Sequence, residues 1–298
     1  MKLIYLLAAA VVFPATIATA FDLSKVETKE ILGFVGPSKG AKIKPTVIAK
    51  QALEKEGIAS LAGRNLRTRF WTIGGPGGIV PIHGHAERPA VFTIASGKIF
   101  EYSSLFKEPV LHETGGLAIE EGKLAHWWEN AEAETVHLIA FDLPPVAKDF
   151  SAVKVSPVPS TAAFDLPAAK GAQHDLLGAI DLGKHFAGAY GTGWGLTTYR
   201  TTIAPGGVFP DFTKAGEPAQ TFVWQGTLSE HRSDSAEPVI LTERTGSSIA
   251  NGATAYWKNT GDTDAVMYFG VIEPLSEIAG VKRVGVLAHG SHSGHGGH

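Results

Sequence analysis

The chain has 298 residues, of which 44% are apolar and 18% charged, so it can bury a sizeable core and is not intrinsically disordered. Lysine and arginine total 26 against 29 acidic residues, a net charge of -3; with no basic excess to draw in a phosphate backbone, nucleic acid is not the expected partner. Cysteine is absent, which excludes disulfides, thiolate metal sites and a cysteine nucleophile, and any metal site must draw mainly on His, Asp or Glu.

In chain order, the first segment reads as a secretory signal. Lys2 supplies a positive start, Leu3 to Phe13 is apolar, and Ala18-Thr19-Ala20 is a small-x-small cleavage site that would leave Phe21 as the mature N-terminus. A membrane anchor is the other reading, disfavoured because the run is short and Pro14 interrupts it. The expected location is therefore the bacterial periplasm, with no membrane association after cleavage. Residues 24–60 mix Lys, Glu and Ala. Pro45 precedes and Gly57 follows a stretch free of Gly and Pro, and a short helix is expected over 46–56.

Beyond this extension the 35 glycines and 17 prolines favour many short strands over long helices. An internal repeat organises them. At an offset of 129, Pro76-Gly77-Gly78 meets Pro205-Gly206-Gly207, Pro89-Ala90 meets Pro218-Ala219, and Glu101 meets Glu230. Glu108-Pro109-Val110 likewise meets Glu237-Pro238-Val239, and Trp128 and Asn130 meet Trp257 and Asn259. About 15 identities fall in roughly 55 aligned positions, where chance gives about three. Strands are expected at Val91–Ile94, Thr135–Asp142, Phe222–Trp224 and Ala265–Ile272, with turns at Gly97 and Gly226. Between the copies, Pro144 to Ala169 reads as an extended linker.

The first copy carries His83-Gly84-His85. Side chains two apart on a strand share a face, so the two imidazoles can grip one ion, and His126 offers a third. These residues resemble the motifs of the cupin superfamily. Gly77, His83, His85 and Gly97 fill its first motif, and Gly115, His126 and Asn130 its second, with Glu121 and Lys123 standing where a proline and a glycine are usual. The string Leu124-Ala125-His126-Trp127-Trp128-Glu129-Asn130 is similar to a group of small exported bacterial cupins. The resemblance implies an all-β chain of two tandem cupin jelly-roll barrels, with a short N-terminal extension and a His-rich disordered tail. The expected division is signal 1–20, extension 21–60, first barrel 61–146, linker 147–172, second barrel 173–278 and tail 279–298.

The family's glutamate ligand would fall at position 90, where this chain has Ala90. Glu87 is near and is expected as a substitute ligand, as an acid or base, or as a solvated charge. The resulting expectation is a site of His83, His85 and His126 for one divalent transition metal ion, Fe, Cu, Zn or Ni. Manganese, which prefers more oxygen ligands, fits less well without the glutamate. In the second copy Phe212, Lys214 and Ala255 (or Tyr256) replace the histidines, so that site is expected to be lost. It leaves a structural module or a metal-free pocket. Trp127 and Trp128 are expected in the core, as is His137, with a supporting role near the metal open for the latter. Arg88 and Glu101 are candidates to hold a carboxylate or orient a ligand, while His112, His174, His185 and His231 receive no role. The tail histidines His289, His292, His295 and His298 are either metal-capturing or without function.

Three functions follow. An oxidoreductase of dioxygenase type, acting on a small organic substrate, is preferred over a metal- or small-ligand-binding protein and over a structural barrel. Oligomeric state is open.

Overall fold

The structure, a computed structural model, describes residues 21–148, 164–210 and 217–278. The expected signal segment, most of the linker, Phe212, Lys214 and the histidine tail lie outside these residues. Among the described residues no helix is long and apolar enough to cross a membrane.

Among the described residues, the first half contains eleven strands. β1 (Thr28–Ile31) and β2 (Phe34–Pro37) form a hairpin whose two turn residues, Leu32 and Gly33, both have positive φ, as a twist-matched two-residue turn requires. β3 (Ile43–Ala52), β4 (Asn65–Ile73), β5 (Gly78–Gly84), β6 (Ala90–Ser96), β7 (Lys98–Ser103) and β8 (Val110–Glu113) follow. β9 (Leu117–Glu120), β10 (Ala125–Asn130) and β11 (Val136–Asp142) complete the half. They build two sheets, β5-β10-β7-β8 and β3-β4-β11-β6-β9, packed as a jelly roll. Inside lie Trp71, Ile73, Val80, Phe92, Ile94 and Trp128.

The second half repeats the plan with β12 (Lys170–Asp181), β13 (Trp194–Pro210), β14 (Ala219–Gln225) and β15 (Leu228–Arg232). β16 (Val239–Leu241), β17 (Ser248–Ile249), β18 (Ala255–Asn259) and β19 (Ala265–Pro274) follow, all in one curled sheet. One four-residue helix, α1 (Leu182–His185), interrupts it after Asp181, whose side chain caps the Lys184 N–H. The expected strands and the turns at Gly97 and Gly226 are present, and both glycines take positive φ.

The repeat extends to single hydrogen bonds. Asn130 Nδ2 donates to the Ile73 and Glu134 carbonyls, and its Oδ1 accepts from the Glu132 N–H. Asn259 does the same with Ile203, Thr263 and Gly261. Each asparagine thereby ties the end of a strand to the turn that follows it.

The helix expected over 46–56 is not there. Residues through Ala52 belong to β3, which pairs with β4 in the register Thr46↔Phe70 and Lys50↔Arg67. Thr46, Val47 and Ile48 are β-branched and favour strand, and the edge of a sheet offered backbone partners that outweigh the weak helical preference of Lys, Ala and Glu.

The two barrels share a third core, in which Phe70, Ile139 and Phe141 of the first meet Phe222, Tyr268 and Ile272 of the second. Thr68 Oγ1 donates to Gln220 Oε1 at 2.6 Å, and Gln220 Nε2 donates to the Leu66 carbonyl at 2.7 Å, so buried polar atoms at this junction are matched across it.

Candidate metal centre

His83 lies near the end of β5 and is the register partner of His126 on β10, so the two rings rise from neighbouring strands on one face. His85 stands just beyond β5, held by its N–H to the Leu124 carbonyl at 3.1 Å. From the opposite sheet, at the end of β9, comes Glu120. The ligand atoms of these four residues all lie within 4.8 Å of one another.

Each imidazole is oriented through Nδ1. That of His83 meets the Pro81 carbonyl at 2.9 Å, that of His85 the Arg88 carbonyl at 2.9 Å, and that of His126 Glu101 Oε1 at 2.8 Å. Carbonyls and carboxylates only accept, so each Nδ1 carries the proton and each Nε2 presents a lone pair. His126 Nε2 is 3.2 Å from His83 Nε2 and 3.0 Å from His85 Nε2. Glu120 brings Oε2 to 2.9 Å from His85 Nε2 and Oε1 to 3.3 Å from His126 Nε2. Both Glu120 oxygens are buried without a hydrogen-bond donor.

Protonating the rings would relieve the crowding of lone pairs, but burial opposes it. Burial and the neighbouring imidazoles push His83 well below its usual range, and burial, with Arg88 adding to it, takes His85 down to about 3. Burial likewise lifts Glu120 to about 7, with Glu101 adding to the rise against an opposing pull from His126. Three nitrogen lone pairs and an orphaned carboxylate converging inside the barrel, three of the four residues fully buried, fit a cation. Their spacings suit donors about 2.1 Å from one shared ion.

The structure brings His83, His85 and His126 together and adds a member that the sequence reading missed. In place of the bare three-histidine expectation stands a set of three nitrogens and one carboxylate, which readmits oxygen-preferring ions such as manganese. Glu87 is exposed on the turn after His85 and stands outside the converged donors. Glu101 orients His126: buried at 4% exposure, it holds that ring through Oε1 at 2.8 Å and meets His112 Nε2 at 2.8 Å through Oε2. Burial would raise the Glu101 carboxyl, but hydrogen bonds from His112 and His126 outweigh it and hold it low. His112, given no role from the sequence, is thus a buried partner whose ring also lies 5.0 Å from that of Trp128.

Trp128 packs edge-on to His126, and Trp127 stacks on Tyr102 at 3.8 Å; both are core residues. His137 lies away from the centre, stacked on Phe70 and bonded to Ser96. In the second barrel Ala255 occupies the place of His126, and Phe209, Trp257 and Phe269 fill the interior.

No protein-family model and no curated protein sequence matches the chain. Solved structures do. The putative glyoxylate induced protein from Pseudomonas aeruginosa is similar at a TM-score of 0.52 and 12% identity, over 83% of this chain and 84% of that one. Oxalate decarboxylase from Lactobacillus farciminis, in a formate complex, is similar at 0.51 and 13% identity, over 86% and 88%. The chain has the cupin fold, twice over. A cupin 2 conserved barrel domain protein from Leptotrichia buccalis is also similar, at 0.45 and 10% identity over 79% of this chain and 91% of that one. The first cupin barrel carries the donor cluster, and its ligand atoms lie between the two sheets, where jelly-roll barrels hold their ligands.

Proposed function

We propose that this chain is an exported bicupin whose first barrel holds one divalent transition metal ion on His83, His85, Glu120 and His126. In this reading it acts there as an oxidoreductase of dioxygenase type on a small organic substrate. The carrying observation is the convergence of three Nε2 lone pairs on a carboxylate that no donor satisfies. A metal ion bound there would supply Lewis acidity and a common centre on which two reactants are oriented. The chain's own residues do the rest. Pro81, Arg88 and Glu101 fix the three rings, Trp128 and the apolar interior exclude water, and the second barrel walls the first.

A metal- or small-ligand-binding protein without catalysis is the second reading. The position of Glu87 favours it, because the expected acid or base is exposed and outside the cluster. Export rests on the signal-like first segment. Phe21, the residue that cleavage would leave first, packs its ring 5.1 Å from that of Trp127.

The test is metal analysis of purified protein in which His289, His292, His295 and His298 are replaced by alanine, so that the tail adds no metal. About one ion per chain is expected, and none after His83→Ala with His126→Ala. Unchanged metal content in that variant would remove the site. Oxygen uptake with a panel of phenols, diketones and thiols then separates enzyme from binder.

A further inference from the structure

The inner face of the first barrel carries a row of charged residues that the metal donors leave unexplained. Across neighbouring strands the register runs Arg67, Asp142, Ala90, Glu120. The next inward row runs Arg69, Ala140, Phe92, Ala118. Ala90 and Ala140 are small, Phe92 stands beside Ala140 in the inner row with its ring centroid 6.0 Å from the Arg69 guanidinium, and Arg69 and Glu120 are close enough for each charge to act on the other. Arg67 is satisfied by Asp142, through Nε at 3.0 Å and Nη2 at 2.8 Å. Arg88 reaches the same carboxylate at 3.4 Å.

Arg69 is different. It is 7% exposed, and its Nη2 lies 2.8 Å from Asp142 Oδ2, yet it is not oriented to donate there, while its Nε meets no acceptor. Its guanidinium sits 4.8 Å from the Trp71 ring centroid, and Trp71 Nε1, two residues along the same face, is also buried with no acceptor. Buried N–H groups without acceptors cost free energy unless a ligand supplies them. Burial pushes Arg69 down only to about 10, with Asp142 opposing the fall, so it stays charged at neutral pH.

Charge balance points the same way. Arg67, Arg69 and the partly exposed Arg88 lie against the single carboxylate of Asp142, and Glu101 and Glu120 are further buried carboxylates of this barrel. A divalent ion on the histidines and Glu120 would bring two positive charges against the one carboxylate among its donors, and buried ions seek compensation. The orphaned acceptors of this interior suit a cation, and its orphaned donors suit an anion.

We propose that Arg69 and Trp71 bind the carboxylate of a small anionic substrate beside the metal donors of the first barrel. This rests on the metal-centre reading above and adds the substrate class. A guanidinium edge and an indole N–H match the two oxygens of a carboxylate, whereas an amide of the same shape brings no charge and sets an NH2 against one of those donors.

The test uses the metal-loaded full chain and calorimetric titration of acetate, pyruvate and benzoate, each against its primary amide. At least one carboxylate should bind at least about tenfold more tightly than its amide. Arg69→Met should abolish that preference with metal content unchanged, Trp71→Phe should reduce it, and Arg69→Lys should keep part of it. Circular dichroism checks that each variant is folded. Absence of a carboxylate preference in the wild type overturns the proposal, as does a preference that survives in both Arg69→Met and Trp71→Phe. Metal content, measured on the same samples and on the His83→Ala, His126→Ala variant with the four tail histidines replaced, reports separately on the metal-centre reading, which fails if that variant keeps its ion or the wild type takes up none.

Discussion

Ala90 and Glu120 face each other across adjacent antiparallel strands, β6 and β9, on the inner wall of the first barrel. Position 90 is where the resemblance places a ligand carboxylate. The chain has a methyl group there and presents its carboxylate from the neighbouring strand. Directly opposite residues have Cβ atoms about 5 Å apart, close enough for a glutamate from either strand to reach one point. Glu120→Ala is therefore expected to weaken metal binding by more than about 100-fold, beyond the loss typical of removing an outer partner of a ligand. The double variant Ala90→Glu with Glu120→Ala should recover part of it. Competition against a chelator measures both, and equal affinity of Glu120→Ala and wild type would show that the carboxylate is not a ligand.

Glu101 anchors His126 by an ion-strength hydrogen bond and is itself held by His112. Removing such a carboxylate leaves the ring free to turn and makes it a poorer donor. Glu101→Ala should lower metal affinity about 10- to 100-fold. Glu101→Gln should lose less, since an amide oxygen still accepts from His126 Nδ1. A cobalt-loaded sample offers a spectroscopic check, because a rotated imidazole changes the visible absorption whereas a purely structural role would not. Identical spectra in wild type and Glu101→Ala would count against the anchoring role.

The histidines were legible because strand periodicity and the repeat are local signals: His83 and His85 are two apart, and His126 falls at a fixed distance from Asn130. Glu120 was not legible. It joins the site through the β6–β9 register, which no spacing along the chain encodes, and Glu120-Glu121-Gly122 reads as a polar turn. The signal present was alternation: Ala118 and Glu120 share the buried face of β9 while Leu117 and Ile119 pack outward against the shared core. His112 was hidden in the same way, between Pro109 and Gly115, although it occupies the one buried position of β8. The missing helix at 46–56 shows a tertiary partner overriding composition.

In the second barrel, burial holds His174 neutral, with its pKa pushed down to about 4 and Asp175 opposing the shift. Its Nδ1 pairs with Thr201 Oγ1 at 2.7 Å, and its ring stacks on Tyr199 at 4.7 Å. Below pH of about 6.5 an unfolded chain takes up a proton that the folded barrel accepts only near pH 4. The contribution of this group is whole above that window and is lost as pH falls through it. Urea midpoints of wild type should thus decline between about pH 6.5 and 4 more steeply than those of His174→Gln. Parallel curves would mean that the ring is not held neutral.

Phe141 and Gly270 decide whether the two barrels behave as one body. The Phe141 ring lies so close over Gly270 that a Cβ there would overlap it, and both belong to strands at the junction, β11 and β19. Phe141 is fully buried among residues from both halves. Its truncation to alanine should cost about 3–5 kcal/mol, as for other large aromatic cavities. Gly270→Ala should cost about 1–3 kcal/mol by overpacking the same spot. Because this core is common property, the loss should appear as a single earlier transition reported alike by tryptophan fluorescence and far-UV circular dichroism. A split into two transitions in Phe141→Ala, absent from wild type, would instead locate most of the stability within each barrel and make the junction a minor contact.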